Sequence, residues 1–319
     1  MTKNCIVLLT RTPDNIWLNF LNNFNNYDIY VIIDENKYDY YKLYKSVNTK
    51  IKFIQIDDNY SKLYGYHSAV WPTGSLPNKP MAWDKALFYF CKINPNSYDH
   101  IWLIEDDVFV LKESVIENID KKYPSTDLLT PFNDINYDGN LSNWELWFTV
   151  VGNINLPWAR SMTCACRLSN RVFDKIRSYV DHKHKLFFHE AMFNTIALQN
   201  NLTIETPIEL NGIHYRTTWD LKNLDLNNVY HPVKDLTYQL DIKMDNLIYY
   251  DNLFNNVNYN NLDNFNSDPG LFLSRNLKFP IDFNICCYRE NNDMKNWCDE
   301  GISWHWFSYG QYEDRKYKD

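Results

Sequence analysis

The stretch that decides the fold is His100-Ile101-Trp102-Leu103-Ile104-Glu105-Asp106-Asp107-Val108-Phe109-Val110. Its apolar run at 101–104 reads as a buried parallel strand, and apolar character resumes at 108–110 beyond three carboxylates. Adjacent carboxylates at the end of a buried strand repel one another and resist desolvation. A hard divalent cation, Mn²⁺ or Mg²⁺, removes that penalty because it prefers oxygen ligands and keeps positions open for phosphates. Most acidic triplets are solvated turns; the apolar flanks favour a metal site here.

Upstream, residues 5–10 (C-I-V-L-L-T) read as a first buried strand and 11–14 as the turn leaving it. Ile16, Trp17, Phe20, Leu21 and Phe24 recur at helical spacing behind Asp14, a suitable N-cap. Residues 29–33 form a second strand closed by Asp34, and 51–56 a third ending at Asp57 and Asp58. A helix over 81–93 turns Trp83, Ala86, Leu87 and Phe90 inward. That order predicts an α/β layer fold with a mostly parallel sheet flanked by helices. Ligands of open sheets sit beyond the strands' carboxyl ends, so Asp34, Asp57 and Asp107 are expected to converge on one crevice.

Downstream, 128–132 reads as a strand and 161–168 as a small-residue strand or turn, and Ser169 caps a helix carrying Val172, Phe173, Ile176 and Val180. His189 and Glu190 open another helix, where the helix dipole steadies a carboxylate. Late strands at 203–210 and 212–218 carry His214 and Arg216, and Tyr230-His231-Pro232-Val233-Lys234 follows. Trp144, Trp147, Phe148 and Trp158 crowd one span, suited to core packing or to stacking on sugar rings.

These residues resemble the nucleotide-sugar glycosyltransferases of the GT-A fold. The likeness lies in an N-terminal first strand, an Asp after the second strand, and a hydrophobic strand ending E-D-D. Glu105 and Asp107 match the family's D-x-D position, with Glu105 where Asp is common. The resemblance implies a Rossmann-like sheet and a metal-dependent transferase. Such an enzyme moves a sugar from a nucleoside-diphosphate sugar, a UDP-sugar by expectation, to a hydroxyl of a glycan or protein.

By the same resemblance Asp107 is the ligand of Mn²⁺ or Mg²⁺, Asp106 its helper, and Glu105 lies near the ribose or donor sugar. Asp34 meets the uridine or ribose. Trp83-Asp84-Lys85 lies where the family surrounds base and diphosphate; Lys85 either faces the phosphates or sits on a solvated helix face. His231, with His214 competing, resembles the C-terminal metal ligand, and Lys234 the phosphate contact. Glu190 matches the base of inverting members, which takes the acceptor's proton. Retention stays open if it instead binds the donor sugar. The ending H-W-x-x-Y-G-x-x-E-x-R resembles a short helical module beside transferases of large DNA viruses and some bacteria. A viral setting would place the chain in host cytoplasm, in a virus factory or on the virion.

The 319 residues, 45% hydrophobic, suffice for a catalytic domain over 1–239 and a linker with a mostly helical module over 240–319. Residues 246–265, rich in Asn and Tyr, read as a linker or lid that alone buries little. The module's roles, from packing on the catalytic domain to acceptor binding or homo-oligomer formation, stay open. A net charge of -8 argues against nucleic acid as a partner. Seven scattered cysteines without zinc spacing fit a reducing, cytoplasmic setting, and no run of about 18 apolar residues suggests a membrane span. Two other classes compete. A glycoside hydrolase pairing Glu190 with an acidic-strand carboxylate leaves His231 and Lys234 without a task. The other is a sugar-binding or virion surface protein on an inactive transferase scaffold.

Overall fold

A computed structural model of the chain describes residues 3–69, 79–276, 282–292, 294–297, 299–308, 310 and 315–318. The long apolar runs become strands β1 (Asn4–Thr10), β2 (Asp28–Ile33), β3 (Lys52–Gln55) and β4 (His100–Glu105), all mutually parallel. Shorter strands follow: β5 (Leu128–Leu129), β6 (Asp134–Asn136), β7 (Trp158–Arg160), β8 (Ala165–Ser169) and β9 (Ile204–Glu205). The central sheet runs β3-β2-β1-β4-β8-β5-β9, with β8 antiparallel to both its neighbours. β6 and β7 pair as a separate ribbon, as do β10 (Gly212–Ile213) and β11 (Tyr230–His231).

Period-two alternation divides the core between the sheet's faces. Cys5, Val7 and Leu9 of β1 join one cluster, and Ile6 and Leu8 the other. Helices α1 (Asn15–Asn22), α2 (Tyr40–Tyr44), α5 (Glu113–Lys122) and α8 (Leu236–Asp245) cover the second face. Helices α3 (Asp58–Leu63), α4 (Ala82–Phe88), α6 (Asn170–Lys183) and α7 (His189–Gln199) cover the first. The result is an α/β fold: a mostly parallel seven-stranded sheet between two helical layers. Asp14 caps α1, accepting from the Ile16 N–H at 2.8 Å, and Ser169 caps α6.

The structure departs from the sequence reading in its second half. The strand expected at 161–168 starts at Ala165, those at 128–132, 203–210 and 212–218 shorten to two residues each, and α8 was not anticipated. The expected boundary after residue 239 falls within α8. The 246–265 segment buries more than its composition suggested. Phe254 is fully buried against Tyr44 and Phe53, and Asn255 bonds Asn19 of α1. Its few aromatics do the packing while its asparagines face solvent or make turns.

Beyond it lie α9 (Pro269–Asn276), α10 (Ile285–Asn291) and α11 (Asp299–Ser308), where Trp306 and Tyr288 are buried together. The sequence also predicts a long aromatic loop over 64–80, of which residues 70–78 lie outside what is described, as does the Trp304 side chain. No described helix is long and apolar enough to cross a membrane.

Candidate functional site

At the carboxyl end of β4 the three carboxylates diverge to separate partners. Glu105 Oε1 accepts from the Trp83 indole at 2.7 Å, and Asp106 Oδ2 from the Thr10 hydroxyl at 2.5 Å. Asp107 Oδ1 lies 3.2 Å from His231 Nε2. Burial pushes the Glu105 and Asp106 carboxyls up, their hydrogen bonds oppose that, and the Asp107 charge adds to it.

His231 arrives by main-chain bonding. Phe109 and Tyr230 exchange two backbone hydrogen bonds, and the Val233 N–H donates to the Asp107 carbonyl at 2.6 Å. The imidazole Nδ1 lies 2.7 Å from the His214 carbonyl. A carbonyl only accepts, so Nδ1 carries the proton and Nε2 faces Asp107 and, at 3.8 Å, Glu105 Oε2. Burial pulls this imidazole down, but bonding to Asp107 and the charges of Asp107 and Glu105 prevail and raise it. The His214 side chain is exposed with its ring against Trp219, so it is His231 that meets the carboxylates.

That donor set fits a hard divalent cation. An imidazole nitrogen aimed at two carboxylates is stable when a proton or a cation lies between them. Ligands at right angles on an ion with bonds of about 2.1 Å stand about 3.0 Å apart, near the 3.2 Å seen between His231 and Asp107.

Each residue of Trp83-Asp84-Lys85 has a distinct task. Trp83 holds Glu105. Asp84 accepts from the Ala69 and Met81 N–H groups at 2.8 Å each, and burial pushes its carboxyl up to about 7. Lys85 is fully buried, so the solvated-face alternative fails; its ammonium bonds Asp34 at 3.2 Å and Asp58 at 2.7 Å. Asp34 is buried between Lys85 and, at 3.6 Å, Lys79. Asp57 is a correction to the expected convergence: it caps α3, accepting from the Asn59 and Tyr60 N–H groups, and its neighbour Asp58 reaches Lys85 instead. Asp34, Glu105, Asp106 and Asp107 line one crevice of about 260 Å³ with Arg11, Met81 and Trp83.

On another side stands Glu190, in the first turn of α7 and half-buried. Burial and the Glu105 charge push its carboxyl up to about 8 against the pull of Arg160 and His231. Among the described residues nothing hydrogen-bonds that carboxylate. Arg160, paired with Asp134 at 2.8 Å, lies over the rings of Trp144 and Phe132. Trp147 and Trp158 are core, whereas Trp144 is partly exposed. His189 is buried; its ring bonds the Ala69 carbonyl and stacks on Trp83 at 4.4 Å, a brace behind Glu105. Lys234 is exposed on a separate cleft of about 660 Å³ that also takes in Arg216, Trp219 and Tyr238.

With no partner base near it in sequence, Cys164 reads as a small buried residue rather than a nucleophile. The structure sets it beside Glu105, whose N–H donates to the Cys164 carbonyl at 2.9 Å. Fold and site together define an α/β protein with a carboxylate–imidazole cluster at the carboxyl edge of its sheet. No protein-family model and no curated protein matches this chain. Among solved structures it is similar to the apo form of mouse xyloside xylosyltransferase 1, at TM-score 0.36 and 11% sequence identity, over 72% of this chain and 97% of that one. A likeness so distant supports no statement about chemistry.

Proposed function

We propose that the chain is a metal-dependent glycosyltransferase, transferring a sugar from a nucleoside-diphosphate sugar, by expectation a UDP-sugar, to a hydroxyl of a glycan or protein. The observation that carries the reading is the contact of His231 Nε2 with Asp107, Glu105 beside it, on the rim of an acidic crevice. Asp107 and His231 would hold Mn²⁺ or Mg²⁺, with Glu105 and Asp106 flanking them. When bound, that ion neutralises charge on the leaving diphosphate.

The crevice of about 260 Å³ lies just below the usual range for small-ligand pockets, which suits a nucleoside rather than a whole nucleotide sugar. Asp34 is fixed there by Lys85 and Lys79 as an acceptor for ribose or base donors, with Trp83 as an apolar wall. Lys234 opens on the neighbouring cleft, tied to the rim through the Val233 N–H bond to the Asp107 carbonyl, so it would meet the departing phosphate only where the diphosphate extends from the crevice into that cleft. Glu190 takes the acceptor proton as the acceptor oxygen bonds to the anomeric carbon. The bond from that carbon to the phosphate oxygen breaks with its electron pair on the diphosphate, and the sugar inverts. A carboxyl at about 8 is a stronger base than an ordinary glutamate and is partly ionised at neutral pH.

The test is a thermal-shift panel of nucleoside diphosphates and their sugars, with and without Mn²⁺. A ligand that binds the native state raises Tm according to its affinity. One nucleotide, by expectation UDP, should shift Tm in the presence of Mn²⁺ and fail to do so in chelator. No metal-dependent shift with any nucleotide would remove the reading.

A further inference from the structure

The pairing of β4 with β8 places an unexpected ligand in this site. Ile104 pairs with Ala165, so the next pair is Glu105 with Cys164. Opposed residues of an antiparallel pair project on the same face with Cβ atoms about 4.5–5.5 Å apart. A Glu105 carboxylate oxygen, the Cys164 sulfur and a ring nitrogen of His231 all lie within 4.8 Å of one another. Cys164 and His231 are buried, and the His214 carbonyl fixes which imidazole nitrogen is offered.

We propose that Glu105, Cys164 and His231 form a binding site for a thiophilic divalent ion of the Zn²⁺ class, distinct from the hard-ion site on Asp107 and sharing His231 with it. Sulfur, nitrogen and oxygen donors in one cluster are a zinc set, whereas Mn²⁺ and Mg²⁺ select oxygen. Bonds of about 2.0–2.3 Å in a tetrahedron set the donors roughly 3.3–3.7 Å apart. Small rotations of Glu105 and Cys164 close that gap from the present spacing. Three protein donors leave a fourth position open. Binding converts the thiol to a metal thiolate and releases its proton to solvent, together with any proton held on His231 Nε2, without change of oxidation state. Because both loadings use His231, each excludes the other, and ions of the Zn²⁺ class act as inhibitors of the Mn²⁺ form.

The inference does not rest on the transferase reading, and its test needs no sugar nucleotide. Cd²⁺ is titrated into the metal-stripped full chain, following the near-ultraviolet thiolate-to-cadmium absorption. One equivalent should bind with that band in the wild type and in Cys286→Ser, which removes an exposed thiol. The band should vanish in Cys164→Ser, and affinity should fall more than tenfold in His231→Gln, which keeps the thiol. Zn²⁺ in excess should displace the band. A band that survives Cys164→Ser, full affinity in His231→Gln, or no band in the wild type overturns the proposal. His231→Gln keeps the question decidable if Cys164→Ser fails to fold.

Discussion

Glu190 illustrates how a side chain suited to chemistry is held at a cost to stability. Its carboxyl ordinarily titrates near 4.5 and is pushed up to about 8 in the fold. The native state therefore keeps a proton the unfolded chain gives up. The stabilisation from this group is complete below about 4.5 and is lost as pH rises through about 8. Glu190→Gln, which cannot ionise, should be more stable than the wild type, with the advantage growing by roughly 3 kcal/mol between pH 6 and pH 9. Urea denaturation at the two pH values reads this directly; an advantage independent of pH would refute the assignment. Single residues were legible where local sequence sets their place: Asp34 and Asp107 end strands, and Glu190 opens a helix. Lys85 and Asp57 were not, because salt-bridge partners and caps come from tertiary contacts. Nor was Cys164, whose position depends on an antiparallel register that no local pattern states.

At the scale of elements, the site depends on the two short strands of one ribbon as much as on the long strands β2 and β4. β11 brings His231 to the acidic rim and is itself held by β10, where Gly212 pairs with Tyr230. A Cβ at Gly212 would stand 2.4 Å from Tyr230 Cδ1 and 2.5 Å from the Val229 carbonyl oxygen. The backbone oxygen cannot rotate away, so Gly212→Ala must shift β11 and His231 with it. The expected outcome is a loss of about 1–3 kcal/mol in stability and about a tenfold weaker affinity for Mn²⁺. Calorimetric titration and thermal unfolding of the variant check both; unchanged metal affinity would mean that β11 does not position the ligand. β1 to β4 were legible because their apolar runs span four residues or more and alternate between two cores. β5, β9 and β10 were read as strands but too long, because two paired residues carry too little pattern to set their ends, and α8 went unseen because its apolar positions are few and its buried face includes Gln239 and Lys243.

At the scale of the molecule, a chain of net charge -8 gathers Asp34, Glu105, Asp106 and Asp107 around one crevice and sets His231 on its rim. The α/β layering was legible in full, since four parallel strands, three of them with acidic residues at their carboxyl ends, fix where a crevice must open. The division after residue 239 was drawn from composition, and composition does not register that Phe254 is buried or that α8 spans that point. The proposed function centres on the rim, whose negative charge we propose is there to hold a cation and a diphosphate. Counting bound Mn²⁺ by electron paramagnetic resonance, with saturating UDP, tests this most directly. The account predicts one ion per chain in the wild type and none at the same concentrations in Asp107→Asn or His231→Gln. Equal occupancy in wild type and both variants would contradict it.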